Sequence, residues 1–324
     1  MKNIDRIFFE QRNMYIDWQL SNVCNYDCLY CNDTSKGGYY TWPTLEQAIR
    51  LVDHIVKNSD HEYRTYNLLG GEPILWKHFG DLCEYIKEVD ENSVIQTLTN
   101  GSRTLRWWEQ YAEKMDKVVI SYHAHTANRE HIEQVVRILA PYAYVSVQLL
   151  ADIAHFDKVM YDFDYFIEHL PGVNITPKKG QIMLGYGEWM PYTDSQLEWF
   201  QTALRKTEEN NQRDYIVDEQ REQKFIRTVF AGYENEIWET NNKDLTINDL
   251  NHFNGWHCNI GKDMLCVRAD GKLKPSSACF DEISFGNYKT DISLKDFRTN
   301  GYVCRYDSCF CGADLEIEKW KLVK

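Results

Sequence analysis

The chain predicts an α/β fold, a partial (β/α)6 barrel of the TIM-like kind followed by a small C-terminal cysteine-rich β-hairpin/α domain. Short β-rich runs alternate with longer helical patterns through the first 190 residues, as in βα units around a parallel sheet. Cysteines crowd both ends, with three from Cys24 to Cys31 and six of the ten from Cys258 to Cys311. A chain of 324 residues buries one large core or a barrel-sized domain plus a smaller one, and the cysteine distribution favours the second. The expected division is a barrel over 1–190, a helical connector over 191–250 and the cysteine-rich domain over 251–324.

Tyr15 to Leu20 alternates and makes the first strand. Residues 44–58 (TLEQAIRLVDHIVKN) place apolar side chains at helical spacing behind a Thr44 cap. Strands follow at Thr65–Leu69, Val94–Leu98, Val118–Tyr122 and Tyr144–Leu150, with helices around 79–89, 104–115 and 128–140 between them. A sixth strand over Val173–Pro177 completes six βα units. Such sheets hold ligands at the carboxyl ends of their strands. The stretch 176–187 then carries adjacent Lys178 and Lys179, which suit either a substrate carboxylate or a solvated loop. From Thr193 to about Trp238 the pattern is helical and charged, and Asn241–Asp249 is polar enough for a linker. Cys83, inside a helical apolar pattern, reads as a buried side chain without chemistry.

Composition is globular, with 43% hydrophobic and 26% charged residues. A formal net charge of -13 argues against nucleic acid as a partner. Lys2, Asp5, Arg6, Glu10 and Arg12 interrupt the N-terminus where a secretory signal would be apolar, and no run is long enough to span a membrane. Ten cysteines without an export signal read as metal or redox ligands, in a reducing, anaerobic cytoplasm.

Cys24, Cys28 and Cys31 form C-x3-C-x2-C directly after the first strand. A four-iron cubane takes four thiolates, so three on one loop leave an iron free for another ligand. Structural zinc wants four closed ligands, and no fourth Cys or nearby His completes this loop. Gly70-Gly71-Glu72-Pro73 follows the second strand: the glycines let backbone approach a ligand, Glu72 supplies an acceptor and Pro73 sets the exit. Alone, that tetrapeptide also reads as a tight turn with a solvated Glu. Thr99-Asn100-Gly101 and Ser121-Tyr122-His123 close the third and fourth strands. His123 and His125 read either as an H-x-H metal pair lacking a visible third ligand or as pocket histidines.

These residues, with Tyr30 directly before the last Cys, resemble the radical S-adenosylmethionine (SAM) superfamily. The resemblance implies a 4Fe-4S cluster on Cys24, Cys28 and Cys31 whose open iron holds SAM. It implies that SAM is cleaved to methionine and a 5′-deoxyadenosyl radical that abstracts a substrate hydrogen. Gly70, Gly71 and Glu72 then meet the amino group of SAM's methionine, Asn100, Ser121 and His123 line the pocket near its carboxylate and ribose, and Tyr30 lies along the adenine. Many relatives carry an acidic residue where His123 stands.

The distal cysteines are Cys258, Cys266, Cys279, Cys304, Cys309 and Cys311. Residues 267–278 (VRADGKLKPSSA) read as a β-hairpin with a type I′ turn at Asp270-Gly271 that brings its flanking cysteines together. A helical stretch near Leu294–Arg298 follows. The arrangement resembles the SPASM and twitch auxiliary-cluster extensions of radical SAM enzymes, and six thiolates are too few for two full clusters. It implies one auxiliary 4Fe-4S cluster on Cys258, Cys279, Cys304 and Cys309, with Cys266 and Cys311 as replacements. Cys304, Cys309 and Cys311 depart from the usual SPASM spacing, which favours the shorter twitch-like form, and a zinc ribbon is the alternative. The same resemblance puts Asp281 near the place of a catalytic base, where a solvated loop acid is the plainer reading.

The expected activity is a maturase-type radical modification of a peptide or protein side chain. Only Met1–Arg12 precede the barrel, so no fused leader-binding domain is expected. A small-molecule dehydrogenase acting on aminocyclitols or sugars is the second reading, and a non-catalytic electron-transfer protein the third. Lys262, Arg268, Lys272 and Lys274 make a locally basic region suited to an acidic flavodoxin or ferredoxin reductant, or to an acidic substrate.

Overall fold

The structure, a computed structural model, describes residues 3–9, 12–182, 188–217, 228–290, 294, 300–309 and 311–322. After β1 (Arg6–Phe9), the chain enters the barrel wall through β2 (Asn13–Gln19), β3 (Tyr63–Leu69), β4 (Ser93–Thr99), β5 (Lys117–Tyr122), β6 (Tyr144–Ala151) and β7 (Asn174–Lys179). These six strands pair in parallel in sequence order, as their apolar runs predicted. Along β2 the faces separate cleanly. Met14, Ile16 and Trp18 are fully buried, while Tyr15, Asp17 and Gln19 point to the opposite face. On that inner face Asn67 donates to Asp17 at 2.7 Å and Gln96 donates to Asn67 at 3.0 Å, so a polar network crosses three strands.

The helices are α1 (Asp33–Lys36), α2 (Leu45–Asn58), α3 (Phe79–Val89), α4 (Leu105–Tyr111), α5 (Arg129–Leu139), α6 (Phe156–His169) and α7 (Asp194–Asn211). Thr44 starts α2 with a capping box: its hydroxyl accepts from Gln47 N and the Gln47 side chain accepts from Thr44 N, an arrangement contributing about 1 kcal/mol. Leu51, Val52 and Ile55 of α2, Leu82 and Ile86 of α3, and Val135, Val136 and Leu139 of α5 pack in one core with the outer face of the sheet. Each such burial stabilises by roughly 1.5–3 kcal/mol. The sequence pattern gives no clear sign of helix α6; Phe163 and Phe166 anchor it in the same core, and a buried Asp162 disguises its apolar face.

The remainder is more β-rich than the sequence pattern suggested. It comprises β8 (Val229–Tyr233), β9 (Glu236–Thr240), α8 (Asn242–Ile247), β10 (Trp256–Cys258), β11 (Met264–Val267), β12 (Leu273–Lys274), β13 (Tyr302–Val303), α9 (Gly312–Leu315) and β14 (Lys319–Lys321). The helix expected from Thr193 to Trp238 ends at Asn211, and β8 and β9 form a hairpin instead. Its turn puts Glu234 at a φ of 52°, without the Asn-Gly or Asp-Gly signal that marks most such turns. The expected linker Asn241–Asp249 is mostly helix, because the Asn241 side chain caps α8 through Asp244 N. Of the helical stretch expected at Leu294–Arg298, all but Leu294 lies outside the described residues.

Both sheets draw strands from either end of the chain. β1 pairs with β14 and β8 in a six-stranded sheet, and β11 pairs in parallel with β2, so the hairpin β11–β12 extends the barrel sheet to eight strands. Arg268 O accepts from Gly271 N at 2.8 Å, and Gly271 alone takes a left-handed φ, of 90°. This is a three-residue loop with a glycine bulge, in place of the expected type I′ turn. The join is fastened by buried polar contacts. His61 and Asp263 meet at 2.8 Å, and Lys289 donates to Leu20 O, Thr41 O and Ala269 O.

Candidate active site

The loop leaving β2 is bound directly to the glycine turn leaving β3. Leu20 N donates to Leu69 O, Gly71 N to Ser21 O and Glu72 N to Val23 O, each at 2.8–3.0 Å. A Cβ on Gly70 would lie 2.5 Å from Ser21 O, and one on Gly71 would lie 2.3 Å from Val23 O. The two glycines therefore serve a close approach of the chain to itself as well as to a ligand. Glu72 is not the solvated acid of a simple turn. It is 1% exposed and accepts from Thr99 Oγ1 at 2.6 Å and from Asn100 N at 2.5 Å. Burial nonetheless pushes its pKa up to about 7. Asn100 Nδ2 donates to Asn25 in the cysteine loop, and Asn25 donates to Ser102, each at 2.9 Å.

A cavity of about 410 Å³ opens at these strand ends. Cys24, Cys28 and Cys31 line it together with all seven residues expected to bind cofactor: Tyr30, Gly70, Gly71, Glu72, Asn100, Ser121 and His123. Desolvation raises the pKa of each of the three thiols, and each also feels the charge of a neighbouring one. Three sulfur donors lining one cavity of nucleoside-accommodating size, with no fourth among the described residues, fit an iron-sulfur cluster with one open iron.

The Tyr30 hydroxyl and His123 Nδ1 lie 2.6 Å apart, and their rings stack. Burial, with a smaller effect from His125, lowers the His123 pKa to about 4. The two rings of the H-x-H pair meet edge to face, with centroids 6.3 Å apart, and His125 also approaches His155, with ring centroids 5.5 Å apart. Lys178 and Lys179 end β7 rather than follow it, and strand alternation divides them. Lys178 reaches the cavity, open to the solvent within it, yet the surrounding walls lower its pKa by desolvation. Lys179 lies over the Phe200 ring. The last five residues of the expected loop 176–187 lie outside the described residues. Gln19, Tyr26, Lys36 and Gln148 also line the cavity and were not anticipated. For Gln19, inner-face alternation with Tyr15 and Asp17 was the available signal.

A sequence profile of the radical SAM superfamily matches residues 18–188, more than half of the chain. The chain belongs to the radical SAM superfamily. Among curated proteins, this radical SAM chain is similar to GTP 3',8-cyclase of Photorhabdus laumondii, 33% identical over 103 residues, and to that of Vibrio cholerae, 27% identical over 109 residues. The first match spans 30% of each protein and the second 32%, so the chain matches only about a third of these relatives' length. Among solved structures it shares its fold with anSMEcpe bound to AdoMet, with a TM-score of 0.57 at 17% identity over 89% of this chain and 81% of the other. A second structure of anSMEcpe, with AdoMet and a Cp18Cys peptide, gives a TM-score of 0.55 at 16% identity over 89% and 80%.

In this radical SAM protein the distal cysteines divide into two groups. Cys258, Cys279, Cys304 and Cys309 line one largely apolar pocket with Phe253, Phe280 and Tyr306. Burial pushes the thiol pKa values of Cys279 and Cys309 up to about 12. Cys266 and Cys311 do not line it. Cys266 stands in register with Asp17, and both side chains hydrogen-bond Ser277. Cys311 is held by the backbone at Ala313 and Asp314 at the start of α9. The hairpin therefore does not bring Cys266 and Cys279 to one site. Beneath the four-cysteine pocket, fully buried Lys319 donates to Asp314 O, Leu315 O and Ile317 O, each at 2.8 Å.

Asp281 lines neither cavity; it is exposed and paired with Arg268 at 2.7 Å. That pairing also corrects the basic docking surface. Arg268 and Lys274 share Asp281, Lys272 pairs with Asp270, and Lys274 is 7% exposed, so two carboxylates already offset half of these four charges. Among the described residues no helix is long and apolar enough to cross a membrane.

Proposed function

We propose that this radical SAM protein is an oxidoreductase of the maturase type, modifying a peptide or protein side chain with the help of one auxiliary 4Fe-4S cluster. The convergence of Cys258, Cys279, Cys304 and Cys309 on one pocket, in a chain whose barrel holds a separate three-thiol site, carries this reading. Four thiols supply every ligand a cubane needs, which suits a twitch-like single cluster. They would suit zinc equally by number, and metal analysis separates the two. The peptide-bound structure of anSMEcpe supports a peptide as the substrate class.

When bound at Cys24, Cys28 and Cys31, the cluster and SAM supply the 5′-deoxyadenosyl radical that takes a hydrogen atom from substrate. The protein's own part is positioning and exclusion of water. Glu72 fixes the Asn100 backbone, Asn100 fixes Asn25, and the cysteine loop is thereby held to the ends of β3 and β4. Tyr30 and His123 form a neutral wall to the cavity. Lys178 offers a cation to an anionic group of SAM or substrate. Oxidising a substrate radical also releases a proton. For that proton Asp17 is a better placed acceptor than exposed Asp281: neither lines the cavity, but the Asp17 carboxylate is on the inner barrel face, one pleat below Gln19, which does, and its pKa is raised chiefly by burial. A reductant of the flavodoxin or ferredoxin class is part of this proposal.

Similarity to the GTP 3',8-cyclases favours a small-molecule substrate as the second reading. Iron-loaded protein, dithionite and SAM should yield 5′-deoxyadenosine, and a substrate peptide should raise its formation and lose hydrogen by mass. Stimulation by GTP or an aminocyclitol instead of peptides selects the second reading. Absence of 5′-deoxyadenosine under all conditions would sink both.

A further inference from the structure

His125, Asp152 and His155 converge outside the cysteine sites. His125 lies in the turn after β5, while Asp152 and His155 lie in the turn after β6, and these two strands are hydrogen-bonded neighbours. One ring nitrogen of each histidine and one Asp152 oxygen all lie within 4.8 Å of one another. Asp152 Oδ2 meets His155 Nδ1 at 2.8 Å, and Oδ1 accepts from Ala154 N at 3.1 Å, so the turn itself aims the carboxylate and the second imidazole. His125 supplies an independent sign. Its Nδ1 is buried and has no hydrogen-bond partner among the described residues, so the protein does not use up this ring's binding capacity.

We propose that His125, Asp152 and His155 bind a zinc-type divalent transition-metal ion at the rim of the SAM cavity. Two imidazoles and one carboxylate are a borderline-soft donor set matched to such an ion, and three protein ligands leave a coordination position open. Bonds of about 2.0–2.2 Å require the donor atoms to rearrange around the ion, with the Asp152–His155 hydrogen bond giving way to it, and exposed His155 has room to turn. The site adjoins the SAM cavity through Tyr30, whose ring centroid is 6.0 Å from that of His125.

The test is equilibrium dialysis of the iron-loaded protein against buffered Zn²⁺, with zinc and iron measured together. Wild type should take up one zinc beyond its iron. His125→Ala and His155→Ala should each weaken that uptake at least tenfold while keeping their iron. Asp152→Asn, which retains a side-chain oxygen for the Ala154 cap, should do the same, separating metal binding from loss of the turn. No saturable zinc in wild type, or equal zinc in wild type and the three variants, would overturn the proposal.

Discussion

Glu72 Oε2 accepts the Asn100 backbone N–H at 2.5 Å, joining the glycine turn after β3 to the end of β4 beneath the cysteine loop. Glu72→Gln keeps the shape but presents an NH₂ to one of two donors, leaving a buried N–H or O–H unpaired. A loss of about 1–3 kcal/mol is expected, measured by denaturant unfolding. The wild-type carboxyl titrates near 7 folded and near 4.3 unfolded, so the folded state holds its proton more tightly. Its contribution is full below about pH 4.3 and is lost as pH rises through about 7, whereas Glu72→Gln should lack that slope.

Tyr30→Phe removes the hydroxyl that meets His123 Nδ1 at 2.6 Å. About 1 kcal/mol of ordering should be lost, a fivefold rise in the SAM dissociation constant by calorimetry. With its pKa lowered to about 4, His123 stays neutral from about pH 5 to 8. Because the folded value lies below the unfolded one, its contribution is complete above about pH 6.5 and is lost as pH falls toward 4. An NMR titration of the His123 ring showing protonation near pH 6.5 would contradict this environment.

Iron content distinguishes the six distal cysteines. Wild type should hold about eight iron per chain; replacing Cys258, Cys279, Cys304 or Cys309 by Ala should reduce this to about four. Cys266→Ala and Cys311→Ala should leave it unchanged, since neither side chain lines the four-cysteine pocket. About four iron and one zinc in wild type would replace the auxiliary cluster by a zinc ribbon.

The two aspartates should separate in the same way. Asp17→Asn should slow substrate oxidation by about 10²- to 10⁴-fold while 5′-deoxyadenosine still forms. Asp281→Asn, altering an exposed ion pair, should leave turnover within about twofold. Equal effects of the two variants would remove Asp17 from proton transfer.

The barrel and SAM cavity were largely legible in the sequence. Strand and helix periods are local, and the residues expected to bind cofactor follow strand ends whose positions those periods determine. Thus Cys24, Gly70, Asn100, Ser121 and His123, spread over a hundred residues, stand out in the sequence, and the fold gathers them around one cavity. What the sequence left open depends on contacts between distant segments. Whether Cys266 belongs to the four-cysteine pocket is decided by β11 pairing with β2, which turns it toward Asp17. Asp281 is placed by Arg268 across the hairpin, a contact that no spacing encodes. The hairpin of β8 and β9 was hidden by its unmarked turn, and β1 by pairing with β8 and β14 from the far end of the chain. The sequence by itself determined the parallel barrel, its three-thiol loop and the residues that line the cavity beside it. Only the tertiary structure decided which four of six distal cysteines meet and which carboxylate faces the barrel interior, because strand register sets side-chain direction and register between remote strands is a property of the folded whole.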